Sequence, residues 1–508
     1  MRLHNALTQL ISTLGHDGGL ISPSVYDTAQ LLRFQPPQEG VTPAITWLKA
    51  QQHADGGWGD PAVPPARDIP TLAAILALQQ YGADHDVRPQ IAHGLAFLRD
   101  NSEQWSRAHI DLLPIAAEMI LPRLLADAAE AGIVVDPAPY ATLYDLAAKK
   151  RDALACVHIT AGSAPTYSWE ALDHPFDPDL LDCQGSIGHS PAATAYWLQK
   201  AASTGASVAP AALATARRYL IQAAAATQTG IPGVVPTVWP LPVFEYTYAL
   251  MAFVQNGLHV EKEFAPQLAP HVALVKSLLE RNNGLGFSDI FVADVDSTSV
   301  GACAIAACGF PYDPAIIEQF RYGDHYLTFP GELNSSTFSN AHALTALAYA
   351  DVRHQVTEQF LIDRELSCGG WRADKWHSSW IYTSLEVAIA LKHTQHTDRL
   401  RRVVRRLIRE QSHDGAWSRD GKISELETTY AVMLLRLART AGQLQASELC
   451  ALDRASSWLM HHADTIVSAG EQHWMGKELY APVRVDLAYQ LSTLWALHKE
   501  QELVDQYA

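Results

Sequence analysis

One loop constrains this chain more than any other feature, because it occurs twice with the same spacing, Gln-x-x-Asp-Gly-x-Trp. The copies are Gln52-His53-Ala54-Asp55-Gly56-Gly57-Trp58 and Gln411-Ser412-His413-Asp414-Gly415-Ala416-Trp417. Each follows an apolar periodic stretch, turns at Asp-Gly and leads through polar residues into a second apolar stretch, which predicts two helices joined as a hairpin. Weaker forms stand at Asn283-Gly284-Leu285-Gly286-Phe287, at Ser367-Cys368-Gly369-Gly370-Trp371 and around Gln184-Gly185. A helical pair recurring about every 40 to 60 residues predicts an array whose members bury a shared core.

The remaining sequence agrees with helices. From Thr71 to Gln80, Leu72, Ile75, Leu76 and Leu78 make an apolar stripe at helical spacing. The best strand candidate, Pro236 to Phe244, is interrupted by Pro240 and Pro242, which would remove ladder hydrogen bonds. An all-α fold is expected, and 508 residues suggest two to three domains. Charged residues are 18% of the chain, below the roughly 25% usual for soluble proteins, so the interior is extensive and disorder is excluded as the main theme. With 37 basic against 54 acidic residues the net charge is -17, the wrong sign for nucleic acid or an anionic membrane surface. No apolar run approaches the ~18 residues of an integral membrane segment. The six cysteines lack the paired spacing of a disulfide framework or a zinc ribbon. A soluble, cytoplasmic protein is expected.

The chemistry is carried by Asp294-Val295-Asp296-Ser297-Thr298-Ser299. Carboxylates this close cannot both ionise cheaply, so one keeps a proton near neutral pH. Taken alone, the segment is most simply a helix cap ahead of the apolar run that begins at Val300. Its neighbours along the chain change that reading. In order they are Ser22-Pro23-Ser24-Val25-Tyr26-Asp27-Thr28-Ala29, Val238-Trp239-Pro240 with Phe244-Glu245, the acid segment itself, Ser339-Asn340-Ala341-His342, Trp371-Arg372-Ala373-Asp374-Lys375-Trp376-His377, and Trp474-Met475-Gly476-Lys477-Glu478-Leu479-Tyr480.

In that order and over nearly its whole length the chain resembles the class II diterpene cyclases of the two-domain bacterial type, most closely a mycobacterial member that forms a halimadienyl skeleton. The resemblance implies two α/α-barrels with the active site between them: a β domain of residues 1–35 plus 227–508, carrying the acid motif, and an inserted γ domain of residues 36–226. It implies an enzyme that protonates the terminal alkene of geranylgeranyl diphosphate and leaves the diphosphate in place. Asp296 corresponds to the general acid, Asp294 to the neighbour that tunes it, and Asn340 to an Asn that hydrogen-bonds the acid. Ser297 stands where the family motif usually ends in Asp. Trp239, Trp380 and Tyr382 are the expected π faces for a carbocation, with His342 assigned to the cavity wall. Tyr167 and Thr237 fall where ent-copalyl-forming plant members carry the His and Asn that position the terminating water. A halimadienyl, clerodienyl (kolavenyl) or labdanyl diphosphate is therefore expected rather than ent-copalyl diphosphate.

Lys375 and Lys477 are the expected diphosphate ligands, magnesium is implied by analogy with its ligands unassigned, and Glu103 lies near the family's acidic γ-domain segment without an assigned role. The small-molecule partner is a prenyl diphosphate, and a class I synthase or a phosphatase would act on the product. The chain holds no adjacent Asp pair, so the Asp-Asp-x-x-Asp box that ionises diphosphates in class I synthases is missing. Three other readings compete. One is a sesquiterpene cyclase making drimenyl diphosphate from farnesyl diphosphate. Another is a protein prenyltransferase β-subunit, which needs zinc on Asp, Cys and His and is opposed by the lack of Asp-x-Cys in the acid motif. The last is a non-catalytic helical-repeat scaffold.

Overall fold

The computed structural model describes residues 2–106, 109–205, 207–392, 394, 396–463 and 470–507. Among these the architecture is helical, with three antiparallel two-stranded pairs of two or three residues per strand. The segment with Pro240 and Pro242 forms no strand, and Pro242 instead opens the helix Pro242–Gln255, where its missing N–H costs nothing. The stripe from Thr71 lies in the helix Asp68–Gln80.

Six helices close a ring: Pro242–Gln255, Val295–Ala307, Thr337–Tyr349, Trp380–Leu391, Glu425–Thr440 and Val483–Tyr507, each packed on the next and the last on the first. Arg2–Thr13, Ala265–Asn282, Gln355–Asp363, Thr397–Glu410 and Ala446–His461 pack outside it. Inner helices are enclosed on every side, and all residues from Thr337 to Leu347 are buried, which explains why they read as apolar runs rather than stripes. A smaller ring is made by Val25–Phe34, Asp68–Gln80, Ala117–Glu130 and Pro191–Thr204, with the 3₁₀ segment Ala164–Ala171 between the last two. The fold is thus all-α, with two α/α-barrels. Val25–Phe34 falls on the β side of the expected boundary at residue 35, yet it packs on Asp68–Gln80 and Pro191–Thr204. By packing it joins the smaller ring.

The repeated loops join the rings' inner and outer layers by one device. The Trp58, Trp371 and Trp417 indoles donate to the carbonyls of Leu48, Leu361 and Leu407, each ten residues earlier. Their backbone N–H groups donate to Thr71, Ser384 and Thr428 on the following inner helix. Gln52 and Gln411 each bridge a loop carbonyl to an outer-helix carbonyl, Gln90 and Ala451. Gly56 and Gly415 sit at φ 92° and 98°, and a Cβ there would lie 2.4 and 2.8 Å from the carbonyl oxygens of His93 and Arg454. The degenerate copy at Gly369 and Trp371 has the same geometry, with 2.6 Å to Arg402.

Because inner and outer helices alternate along the chain, the inner helices of a ring run in one direction and their N-termini share one mouth. Ser24, Ser190, Asp294, Ser336, Ser379 and Ser424 cap six of them, each accepting from the N–H three residues on. This arrangement brings Asp294 to the mouth of the larger ring.

Candidate active site

Asp294 is a helix cap, and its oxygens accept from the Ser297 amide at 2.6 Å and the Ser297 hydroxyl at 3.0 Å. Ser297 therefore serves the pair as a donor where the family pattern has a third acid. Two residues on, Asp296 accepts from the Tyr248 hydroxyl at 2.5 Å and meets His342 Nδ1 at 2.6 Å. His342 Nε2 lies 3.1 Å from Glu386, itself fully buried. Burial, and then the charge of Asp296, push Asp294 up to about 8, so this carboxyl stays neutral at pH 7. Burial opposes a charge on His342, but Asp296 and Glu386 on either side override it and raise the imidazole to about 10. The constellation is a buried chain of carboxyl, carboxyl, imidazole and carboxyl that holds protons at neutral pH.

Asp294 and Asp296 lie at the floor of a recess walled by Phe244, Tyr248, Phe287 and Trp474. Through Phe287, Phe329, Trp376 and Tyr480 it continues into a cavity of about 160 Å³ between the two barrels, which residues of the smaller barrel such as Leu113, Met119 and Leu146 complete. The far wall is polar, with Lys150, Lys375, Glu118 and Glu332. Lys375 pairs with Glu332 at 2.8 Å and Lys150 donates to the Gly331 carbonyl at 2.9 Å. Burial lowers the Lys150 ammonium from its ordinary value and raises the Glu118 carboxyl. An acid at one end, aromatic walls between and ammonium groups at the other suit a long apolar ligand with an anionic head.

Tyr167 and Thr237 meet hydroxyl to hydroxyl at 2.9 Å, with Tyr167 on the cavity wall. Six expectations need correction. Asn340 does not reach Asp296: its amide accepts from Tyr326 N–H and donates to the Tyr326 and Ser336 carbonyls, so it clamps the segment before its helix. His342 occupies the place beside the acid, so it is not a wall residue. Trp380 faces outward, with the Arg406 guanidinium 3.6 Å from its ring, and Trp239 packs on Tyr219 with its indole on the Asp17 carbonyl. Neither lines the cavity. Tyr382 stacks on His377 at 4.1 Å and touches Trp474 at 5.8 Å, one layer behind the wall.

Lys477 is wholly buried, 2.7 Å from Glu170, 2.6 Å from the Ser190 hydroxyl and 3.6 Å from Asp27. Its charge is committed there, so it is not a diphosphate ligand. Burial raises Asp27 to about 6 even though Lys477 pulls it down. Sequence reasoning missed Tyr248, Glu386 and Lys150. A lone Glu inside the apolar run Trp380–Leu391 was the available signal for Glu386, because an unpaired buried acid is rare.

No family model matches the chain. It is 38% identical over 506 residues to a (+)-kolavenyl diphosphate synthase of Herpetosiphon aurantiacus, covering 97% of this chain and 96% of the relative. Identity to the type B diterpene cyclase of Mycobacterium tuberculosis is 27% over 501 residues, at 94% and 96% coverage. The ent-copalyl diphosphate synthase of Streptomyces platensis superposes with a TM-score of 0.78 at 28% identity, covering 98% of this chain and 99% of the other. The mycobacterial protein is thus a more distant likeness than the kolavenyl synthase.

Proposed function

Because the chain belongs to the class II diterpene cyclases, we propose that its cavity converts geranylgeranyl diphosphate into a kolavenyl-type bicyclic diphosphate. The enzyme is a diphosphate-retaining cyclase. The observation that carries the division of labour is the acid pair at the floor of an aromatic recess, with the ammonium groups at the opposite wall. Asp296 gives its proton to the terminal alkene. The carboxylate left behind keeps the Tyr248 hydroxyl and His342 as donors, which lowers the cost of losing the proton. Asp294, held neutral, adds no second charge that would tighten Asp296's grip on it. Phe244, Phe287 and Trp474 present π faces to the cation and keep water away.

Lys375 and Lys150 hold the diphosphate. The two carboxylates nearest them are Glu118 and Glu332, and among the described residues no three His, Cys, Asp or Glu side chains gather as a metal site. These side chains make no magnesium cage, and an ion here would draw its oxygens from diphosphate and water. Tyr167 lines the cavity with Thr237 bonded behind it, and the likeness to a kolavenyl synthase supports a rearranged clerodane skeleton. The product keeps its diphosphate, so an enzyme that removes or ionises that group acts next. Among the described residues no helix is long and apolar enough to cross a membrane, and the six cysteines are free, in keeping with a reducing cytoplasm.

The test is incubation with geranylgeranyl and farnesyl diphosphates side by side, followed by phosphatase treatment and mass spectrometry of the alcohols. A cyclic C20 alcohol is expected. Turnover of farnesyl diphosphate alone would replace this reading with the drimenyl one.

A further inference from the structure

The reaction rebuilds the tail of its substrate and leaves the head as it was, so the cations that bind the diphosphate on entry still grip it when the product must leave. The structure shows those cations already engaged. Residues 327–336 form neither helix nor strand and run from the strand His325–Tyr326 to the helix Thr337–Tyr349. Asn340 pins this strap at both ends, at Tyr326 and at the Ser336 carbonyl. Near its start the Thr328 carbonyl accepts from the Val295 N–H, and the Thr328 hydroxyl from the Trp376 indole. Its tip meets the ammonium groups of the cavity wall. Lys375 pairs with Glu332 Oε1 at 2.8 Å and donates to the Asn334 carbonyl, while Lys150 donates to the Gly331 carbonyl at 2.9 Å. Glu332 Oε2 accepts from the Thr328 N–H at 2.7 Å, so this carboxylate has one partner on the wall and another on the strap itself.

We infer that Glu332 is a tethered competitor for the diphosphate, yielding Lys375 to the arriving head group and taking it back to expel the product. An ammonium group has three donors, and the strap takes two of those on Lys375. A head group that spreads its oxygens over Lys375 must therefore displace Glu332, whose like charge also repels it. The diphosphate brings more charge and more oxygens than one carboxylate, and burial of the tail adds to its side of the exchange. A prenyl alcohol brings no charge with which to displace Glu332, so the same residue selects for the diphosphate. When Lys375 is given up, Glu332 keeps its bond to the Thr328 N–H and stays within reach. A competitor on so short a tether acts at an effective concentration on the order of millimolar, without having to enter from solution. The exchange makes and breaks no covalent bond and moves no proton. Glu118, the other carboxyl of this wall, is carried on the helix Ala117–Glu130 and lacks such a tether.

The inference rests on Lys375 and Lys150 as the diphosphate ligands, and the experiment separates the two claims. Melting of the full chain is followed with and without inorganic pyrophosphate for wild type, Glu332→Gln, Glu332→Asp and Lys375→Ala. Turnover of geranylgeranyl diphosphate is measured in single-turnover and steady-state regimes. Glu332→Gln keeps the shape and an acceptor for Lys375 but loses the charge. It should bind pyrophosphate about fivefold more tightly than wild type, read from the concentration dependence of melting, and lower KM about threefold. Its first turnover should stay within about twofold of wild type while the steady-state rate falls about threefold, because product leaves slowly. Glu332→Asp draws the carboxylate back by one methylene and should shift binding and rate the same way by about twofold; it decides the matter if Glu332→Gln fails to fold. Pyrophosphate affinity no tighter than wild type in the folded variants would overturn the competition. First-turnover and steady-state rates that fall together, or a steady-state rate that does not fall, would overturn the role in release. Pyrophosphate that stabilises Lys375→Ala as much as wild type would overturn the head-group assignment itself, whatever the Glu332 variants do.

Discussion

At the residue scale, the buried proton chain makes sharply different demands on its neighbours. Asp296→Asn should abolish cyclisation with folding intact, since it removes the transferable proton and almost no volume; residual turnover above a few per cent would show that another group protonates the alkene. His342→Phe should lower the first-turnover rate about a hundredfold, the scale of losing one preorganised donor. Asn340→Ala should instead leave the rate nearly unchanged and cost about 2 kcal/mol of stability, because it removes the side-chain partner of the Tyr326 N–H and of the Tyr326 and Ser336 carbonyls. The two mutants, compared by rate and by melting, show which residue serves the acid. Asn340 and His342 are two positions apart on one helix and so point to nearly opposite sides. The segment was legible in the sequence, but which of its polar residues turned inward depended on the helix's rotation. Trp380 and Tyr382 repeat the lesson two helices on, one facing Arg406 and the other the interior. Asp294 gives a pH signature. Its raised value, about 8, means that the folded form holds a proton the unfolded form gives up near pH ~4. Stability is therefore full below that point and is lost as pH rises toward 8. Activity should fall through the same upper limit as a second charge appears beside the acid. Asp294→Asn retains the cap and should melt higher than wild type at pH 8; a lower melting point there would contradict the buried neutral carboxyl.

At the element scale, what the repeated loop announces is a joint. Its Gly needs φ > 0 and a bare Cα, while its Trp pins the preceding outer helix. Gly415→Ala meets the Arg454 carbonyl as well as a left-handed backbone, whereas Gly421→Ala, at φ 72° with open space around it, meets only the latter. The first should destabilise by at least ~1 kcal/mol more than the second, measured by denaturant unfolding. Equal effects would mean that the close approach is slack. Such joints were readable because their chemistry is local. The partition of helices between barrels was less so, since Val25–Phe34 carries no mark of the ring it enters and is placed only by what it packs on.

At the scale of the whole molecule, the two ends of the chain are tied by the buried knot of Lys477 with Asp27, Glu170 and Ser190, drawn from the first and last motif segments and the smaller barrel. A lysine near such segments reads from sequence as a ligand for an anion, and only the three-dimensional fold shows that its anions are supplied by the protein. Lys477→Met should therefore cost about 3–5 kcal/mol by leaving buried carboxylates unpaired, whereas Lys375→Ala should raise KM as well as cost stability, because Lys375 is buried against Glu332. The knot seals the seam between the barrels, and the cavity lies beside it with its acid in one barrel and its cationic wall shared by both. That arrangement makes protonation at one end, with the diphosphate untouched at the other, the central claim. The most direct measurement is turnover of geranylgeranyl diphosphate in deuterium oxide, with mass analysis of the intact product and an assay for inorganic pyrophosphate. The account predicts a cyclic diphosphate carrying one deuterium per molecule and no pyrophosphate above background. An unlabelled product, or pyrophosphate released in step with substrate loss, would contradict it.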